Sequence, residues 1–472
     1  MVQRLSRRCK TLHFVGGREP PRGPRQRLSS PLHRVEHPEP GFLMPPVRHL
    51  PAVALAAALL ALPATLPAQG AAPAQQGRLA LSAERLARVD SFFHRAVDQG
   101  QMAGAVVLVL RDGQPVYERA FGWADREAGR RMTPDAIFRI ASQTKAITSA
   151  AILALAEEGK LALNDPVSRF IPAFRQTTVA VRGDSGVSVV PARRQITLRD
   201  LLTHTAGISY GRDTLVSALY TAKGLGAAAG FGWYTADKDE PVCATMERLA
   251  SLPFVAQPGE RYVYGYATDV LGCVVERASG MSLDRFVRER ITAPLRMEDT
   301  HFFLPPAKRD RFTAVYTLGS DGRVVRAPEG PRGQGDYAEG PRRSFSGGAG
   351  LLSTARDYAR FLQMLLNRGE LEGTRILAPK TVELMTANAV GTLFSQDGEG
   401  FSLGFRTLDR PGVRGRVESV GTYSWGGAYG SEYLVDPKER LVMVFMVQEL
   451  PNTQGIGQRL PMLVYQALVE AR

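Results

Sequence analysis

The β-type sequence of this chain is concentrated towards its two ends. "AGAVVLVLRDGQPVYERAFGWAD" (Ala103–Asp125) is a pair of β-rich runs around Asp112-Gly113, a strong short-range hairpin signal. "SEYLVDPKERLVMVFMVQ" (Ser431–Gln448) is a second pair, around Asp436-Pro437. A helix precedes the first pair, since "LSAERLARVDSFFHRAVDQG" (Leu81–Gly100) carries apolar residues at helical spacing and ends in glycine. Another follows the second pair, in "IGQRLPMLVYQALVEA" (Ile456–Ala471). The simplest arrangement is one antiparallel sheet built from both ends and covered by the terminal helices. The middle, roughly residues 160–345, is then a helical and loop-rich subdomain, which makes the expected class α+β. No internal repeat competes with this reading.

The front of the chain is not part of that body. Residues 1–43 are rich in Arg and Pro without apolar periodicity and read as a disordered or mis-assigned extension. From Met44 a short basic region (Arg48) precedes an apolar run, Leu50–Leu62, and then small residues, the layout of a secretory signal peptide over 44–70. The run is too short for a comfortable membrane span. Cleavage fits after Gly70, with Ala68 and Ala72 as the other candidate ends. A linker over 71–80 and one domain over 81–470 follow, with no membrane span left and a periplasmic or secreted location.

Residues 1–77 hold ten of the basic and three of the acidic side chains, so the rest of the chain keeps +6 of the overall +13. That charge is spread out and not interleaved with aromatics, which argues against a nucleic-acid partner. Two cysteines remain, Cys243 and Cys273, and the sequence leaves open a disulfide or two buried thiols. It does not specify an oligomeric state.

"FRIASQTKAITSAAI" (Phe138–Ile152) opens an apolar, alanine-rich helix, and Ser142 and Lys145 stand three residues apart at its start. Residues at i and i+3 share a helix face, so the two side chains can meet. The positive end of the helix favours an oxyanion forming at Ser142. The same field, with burial, works against a positive charge on Lys145, as suits a proton acceptor. Serine is a weak nucleophile without such a base. The chain has eight lysines and 51 arginines, and Lys145 alone has a serine three positions ahead.

Two further stretches could complete a site. "PGERYVYGYATDVLG" (Pro258–Gly272) is a Pro-Gly turn leading to Tyr262, Tyr264 and Tyr266. A phenol near a lysine can shuttle protons where no histidine does so. Tyr262 reads better as a packing residue. "YSWGGAYGSEYLVDP" (Tyr423–Pro437) places paired glycines before a strand, where a backbone N–H can approach a ligand closely.

These stretches, in this order, resemble the class C β-lactamase-like serine hydrolases, and among them the family VIII esterases. "LLTHTAGI" (Leu201–Ile208), "APLRMEDTHF" (Ala293–Phe302) and "GGAGLLSTARDYARFLQMLL" (Gly347–Leu366) extend the likeness over nearly all of the chain after the signal run. The resemblance implies the β-lactamase/penicillin-binding (transpeptidase-like) fold. It implies acyl-enzyme chemistry on Ser142, Lys145 as base or relay, and Tyr264 as a phenol sharing the base role and activating water for deacylation. The N–H groups of Ser142 and Ala428 would form the oxyanion hole. It implies neither cofactor nor metal.

Two departures bear on the substrate. Where the family has Tyr-x-Asn this chain has Tyr264-Gly265-Tyr266, and where β-lactamases have Lys-Thr-Gly it has Trp425-Gly426-Gly427. An amide and a cation that hold β-lactams are absent, and Trp425, Gly426, Gly427 and Tyr266 become the expected substrate-binding residues. The expected activity is hydrolysis of small, neutral carboxylic esters, with weak β-lactam hydrolysis as a side activity. The alternatives are a β-lactamase, a D-amino-acid peptidase or carboxypeptidase, an acyltransferase, and a non-catalytic peptidoglycan- or penicillin-binding protein. Leu215–Glu240, with Trp233 in it, could form a lid on the site or an ordinary surface loop.

Other motifs carry less. "RGDSG" (Arg182–Gly186) has no suitable histidine region before it and reads as a loop. His204 reads as a core or turn histidine. After the signal run the histidines are His94, His204 and His301, too few and too scattered for a zinc site, and no Gly-x-Ser-x-Gly occurs.

Overall fold

The structure, a computed structural model, describes residues 81–472 apart from Ser185 and Gly230. The signal-type run, its cleavage positions and the 71–80 linker lie outside the described residues. Helix α1 (Ala83–Asp98) is capped by the Ser82 hydroxyl, which accepts the Arg85 N–H at 3.3 Å. It buries Leu86, Val89, Phe93 and Ala96 along one stripe. Strands β1 (Gly104–Arg111) and β2 (Gln114–Asp125) then fold back around Asp112 and Gly113, both at positive φ as a tight hairpin turn requires. A short β3 (Arg130–Arg131) follows.

The far end of the chain contributes β4 (Glu399–Phe401), β5 (Arg406–Leu408), β6 (Tyr423–Gly426), β7 (Glu432–Asp436) and β8 (Leu441–Val447). All eight strands form one antiparallel sheet in the order β4-β5-β6-β7-β8-β1-β2-β3. Its seam joins the two ends of the fold, from Ala105 opposite Val447 to Arg111 opposite Leu441.

Alternation along these strands makes two cores. Val106, Leu108, Tyr433, Val435, Val444 and Met446 face the central helices α2 (Thr144–Glu157) and α4 (Ala355–Leu366). Ala105, Val107, Val109, Leu434, Met443 and Phe445 pack with α1 and the last helix, α5 (Leu460–Tyr465). Helix α2 is buried from Thr144 to Leu155, so it is apolar nearly all round, and α3 (Ala267–Ser279) packs across it.

The structure departs from the sequence reading in two places, and it decides between the two states left open for the cysteines. Thr178–Gly183 and Gly186–Pro191 pair as a hairpin in the middle region, driven by the β-branched residues of "TTVAVRGDSGVSVVP", with Arg182 opposite Val187 and Gly183 opposite Gly186. The last helix is shorter than its periodicity suggests. Its end is diverted because Ser82 N–H donates to the Ala467 carbonyl at 2.8 Å and Leu81 bridges Leu468. Cys243 and Cys273 form a disulfide that ties the helix Val242–Ala250 to α3. Among the described residues no helix is long and apolar enough to cross a membrane.

Candidate active site

Phe138–Arg139 pairs with Leu352–Ser353, and the Ile140 N–H donates to the Leu351 carbonyl at 3.1 Å. Ala141 then takes a φ of 42°, a left-handed conformation that costs a non-glycine residue about 1–2 kcal/mol. That turn lifts Ser142 into the cleft just before α2 begins. It is clamped from behind by the Tyr358 hydroxyl, which donates to the Gln143 carbonyl at 2.8 Å, and by the Leu351 N–H, which donates to the Thr144 hydroxyl at 3.1 Å.

Lys145 is one turn on, almost fully buried. Its Nζ lies 3.2 Å from Ser142 Oγ, 3.0 Å from the Tyr210 hydroxyl and 2.7 Å from the Gly348 carbonyl oxygen. The i, i+3 pair expected from the sequence therefore meets. The phenol bonded to the amine is not the expected one. Tyr264 presents its ring face to Lys145, with Nζ 4.8 Å from the centroid, and its hydroxyl accepts the Trp425 indole N–H at 3.3 Å. The resemblance implies a shared base role for Tyr264, but the hydroxyl bonded to the amine is that of Tyr210, which the sequence reading missed. Its only local signal is a tyrosine directly after "LLTHTAGIS", next to Gly211 at positive φ. Burial, and then the neighbouring Tyr264 and Asp269, push the Tyr210 phenol well above its ordinary range, so it is protonated at neutral pH.

Strand β6 brings the second half of the site. A side chain on Gly427 would begin 2.5 Å from the Ile140 carbonyl oxygen, so only glycine lets the strand end run against the Ser142 turn. Ser142, Trp425, Gly426, Gly427 and Ala428 consequently line one cleft with Tyr210 and Tyr264. Neither the Ser142 N–H nor the Ala428 N–H bonds a protein group among the described residues. Both are unspent donors on the cleft wall, as an oxyanion hole needs.

Tyr266, expected at the substrate, is not among the residues that line the cleft. It is fully buried, its hydroxyl accepts the Gly226 N–H at 3.1 Å, and its ring stands edge-on behind Tyr210 at 4.9 Å. The reason is Gly265, packed so closely on Ile208 and Ser209 that the chain turns the next residue inward. Tyr262 packs on Phe394 and Phe401. His204 is buried against Tyr264, and burial, with the Lys145 charge, pushes its imidazole well below its ordinary value, so it is neutral. From the Leu215–Glu240 segment Phe231 and Trp233 line the cleft, stacked at 5.4 Å, and Trp233 is only 8% exposed. They form an aromatic wall of the cleft. Among the described residues no group of three or more His, Cys, Asp or Glu side chains is placed to hold a metal ion.

A serine, a lysine on the same helix face, a phenol on the lysine and two free N–H groups can perform acyl transfer without histidine. Comparison with known proteins decides the lineage. The profile of the β-lactamase family matches residues 89–462.

The chain belongs to the β-lactamase family.

Within that family it is 37% identical over 397 residues to esterase EstB of Burkholderia gladioli, covering 81% of this chain and 94% of that protein. The structure is similar to EstCE1, described as a hydrolase with promiscuous acyltransferase activity, with a TM-score of 0.69 and 26% identity over 84% of this chain and all of that one. It is also similar to the simvastatin synthase LovD of Aspergillus terreus, with a TM-score of 0.67 and 26% identity over 83% of this chain and all of LovD. These findings show the β-lactamase and penicillin-binding fold, a serine hydrolase, and the likeness to family VIII esterases. Trp425, the residue expected in place of the Lys-Thr-Gly lysine, stands on β6 beside Tyr264 with ring centroids 5.5 Å apart.

Proposed function

We propose that the protein hydrolyses small, neutral, rather apolar carboxylic esters through an acyl-enzyme on Ser142. In acylation Ser142 Oγ attacks the ester carbonyl carbon as its proton passes to the Lys145 amine. The negative charge moves to the carbonyl oxygen, held by the N–H groups of Ser142 and Ala428. The C–O bond to the alcohol then breaks and the alcohol leaves with a proton. Tyr264, whose hydroxyl is held only by Trp425 among the described residues, faces the cleft and carries a proton between water and the acyl-enzyme in deacylation. Tyr210 acts from behind, holding the Lys145 amine in place.

The observation that carries the substrate reading is Trp425. It puts an indole where a β-lactam carboxylate would need a cation, and it extends the aromatic surface of Tyr264 and Phe401. The rate on a short aryl ester relative to a cephalosporin tests it. Acyl transfer to an alcohol is the second reading, favoured by the likeness to EstCE1, a hydrolase with promiscuous acyltransferase activity. It would show as ester exchange when an alcohol is added.

The Cys243–Cys273 disulfide supports export through the 44–70 signal, because such bonds persist in oxidising compartments. N-terminal sequencing of the exported protein tests this, with a start at residue 71 as the expected outcome.

A further inference from the structure

Asp269 lies in the first turn of α3 with no exposed surface. A buried carboxyl is costly unless something holds it, so its partners carry information. Its Oδ1 accepts from the Ser346 hydroxyl at 2.6 Å, the Gly348 N–H at 3.1 Å and the Thr235 hydroxyl at 3.4 Å. Its Oδ2 has no partner among the described residues and lies 2.5 Å from where a side chain on Gly348 would begin. Gly348 is thus pressed onto the carboxyl on one side. On its other side its carbonyl oxygen takes the Lys145 amine at 2.7 Å. The adjoining Gly347 carbonyl is fixed by the Thr148 hydroxyl at 2.8 Å, so Asp269 and α2 hold the turn between them.

A neutral primary amine has two N–H groups and one lone pair. With Gly348 O and the Tyr210 hydroxyl taking the two N–H groups, the lone pair is left for the Ser142 hydroxyl, 3.2 Å away. We propose that Asp269 is the positioning residue of the nucleophile's base, aiming the Lys145 lone pair at Ser142 through Gly348 and balancing the ammonium that forms when the Ser142 proton arrives. Asp269 exchanges no proton. The proton moves from Ser142 Oγ to Lys145 Nζ while Oγ bonds the acyl carbon. None of the hydrogen-bond partners of Lys145 is a carboxylate, so the compensating charge acts across one residue. The other titratable groups facing the amine are Tyr210, Tyr264 and His204. The inference rests on Ser142 as nucleophile, as proposed above.

The test is the rate at which a fluorophosphonate modifies Ser142 in the wild-type protein, Asp269→Asn and Ser346→Ala, measured across pH, with the melting temperature of each. Asp269→Asn keeps the shape and an acceptor but removes the ionisable carboxyl, which burial pushes above its ordinary pKa while the hydrogen bond from Ser346 and the Lys145 charge pull it back. The expected result is labelling at least about tenfold slower with a displaced pH midpoint, kcat for ester turnover lowered at unchanged KM, and a melting temperature near that of the wild type. Ser346→Ala, which removes one bond to the carboxyl, is expected to slow labelling less and in the same direction. Unchanged labelling and an unchanged pH profile in folded Asp269→Asn would overturn the inference, as would slowing that only follows a loss of thermal stability. If Asp269→Asn does not fold, an unchanged rate in Ser346→Ala overturns it. Fluorophosphonate labelling is indifferent to the natural ester, so normal labelling with no ester turnover in the wild type would overturn the substrate reading and leave this inference standing.

Discussion

The amine of Lys145 is 3.0 Å from the hydroxyl of Tyr210, a residue 65 positions further along the chain. Tyr264 meets the same amine only with its ring face. The two phenols therefore have different work. Tyr210→Phe removes a hydrogen bond that holds the Lys145 amine, worth about 1.5–3 kcal/mol when the amine is charged, and is expected to slow acylation of Ser142 by roughly 10- to 150-fold. Tyr264→Phe is expected to keep acylation within a few-fold and to accumulate the acyl-enzyme. A burst of p-nitrophenol in single-turnover mixing separates the two: small and slow in the first variant, full in the second. Equal loss of acylation in both would contradict this division.

Trp425 donates its indole N–H to Tyr264 and packs its ring on Phe401. Trp425→Phe keeps most of the packing and removes the donor, worth about 0.5–1.5 kcal/mol for an ordinary hydrogen bond. Ester kcat is expected to fall by roughly 2- to 12-fold on that account, with KM little changed. Steady-state kinetics on p-nitrophenyl butyrate checks this.

Trp233 stacks on Phe231 and stands edge-on to Tyr429. Trp233→Ala removes a buried aromatic, a change that costs about 3–5 kcal/mol in a core. A lowered melting temperature is expected together with a shift of the preferred acyl chain towards longer esters. An unchanged chain-length series would show that the wall does not contact substrate.

These residues show what a sequence can disclose. Asp112-Gly113 marks its hairpin because a two-residue turn with positive φ is a local demand. Ser142 and Lys145 are legible because three residues on a helix fix their spacing. Gly427 is legible as a close approach, although what it approaches, the Ile140 carbonyl, is not. Tyr210 reaches Lys145, and Asp269 reaches Gly348, only through tertiary packing, which no local pattern encodes. Tyr266 is expected in the cleft because it stands where the resembling family has the Asn of Tyr-x-Asn. The chain instead turns into α3 there and buries it.

The disulfide closes a separation of 30 residues, worth roughly 3–4 kcal/mol in the chain-entropy model. The Cys243→Ser, Cys273→Ser double variant is expected to unfold at a clearly lower denaturant concentration with ester KM unchanged. Equilibrium unfolding in urea checks it.

Glu449 donates its N–H to the Tyr429 carbonyl at 2.9 Å, next to Ala428 in the cleft wall, and burial pushes its carboxyl from 4.5 up to about 7. Below 4.5 the group is protonated folded or unfolded. As pH rises from there to about 7, the unfolded chain releases the proton while the folded protein keeps it, so stability falls, and the loss is complete above that range. Glu449→Gln is expected to flatten this fall in melting temperature between pH 5 and 8. A slope equal to that of the wild type would assign the titration to other groups.

The central claim is that Ser142 is the nucleophile of an esterase site. Initial rates on p-nitrophenyl butyrate and on nitrocefin, for the protein and its Ser142→Ala variant, test it most directly. Ester turnover that disappears in the variant, with only feeble nitrocefin turnover, is the expected outcome. Strong nitrocefin turnover would contradict the reading of Trp425-Gly426-Gly427, and ester turnover surviving in the variant would contradict the nucleophile itself.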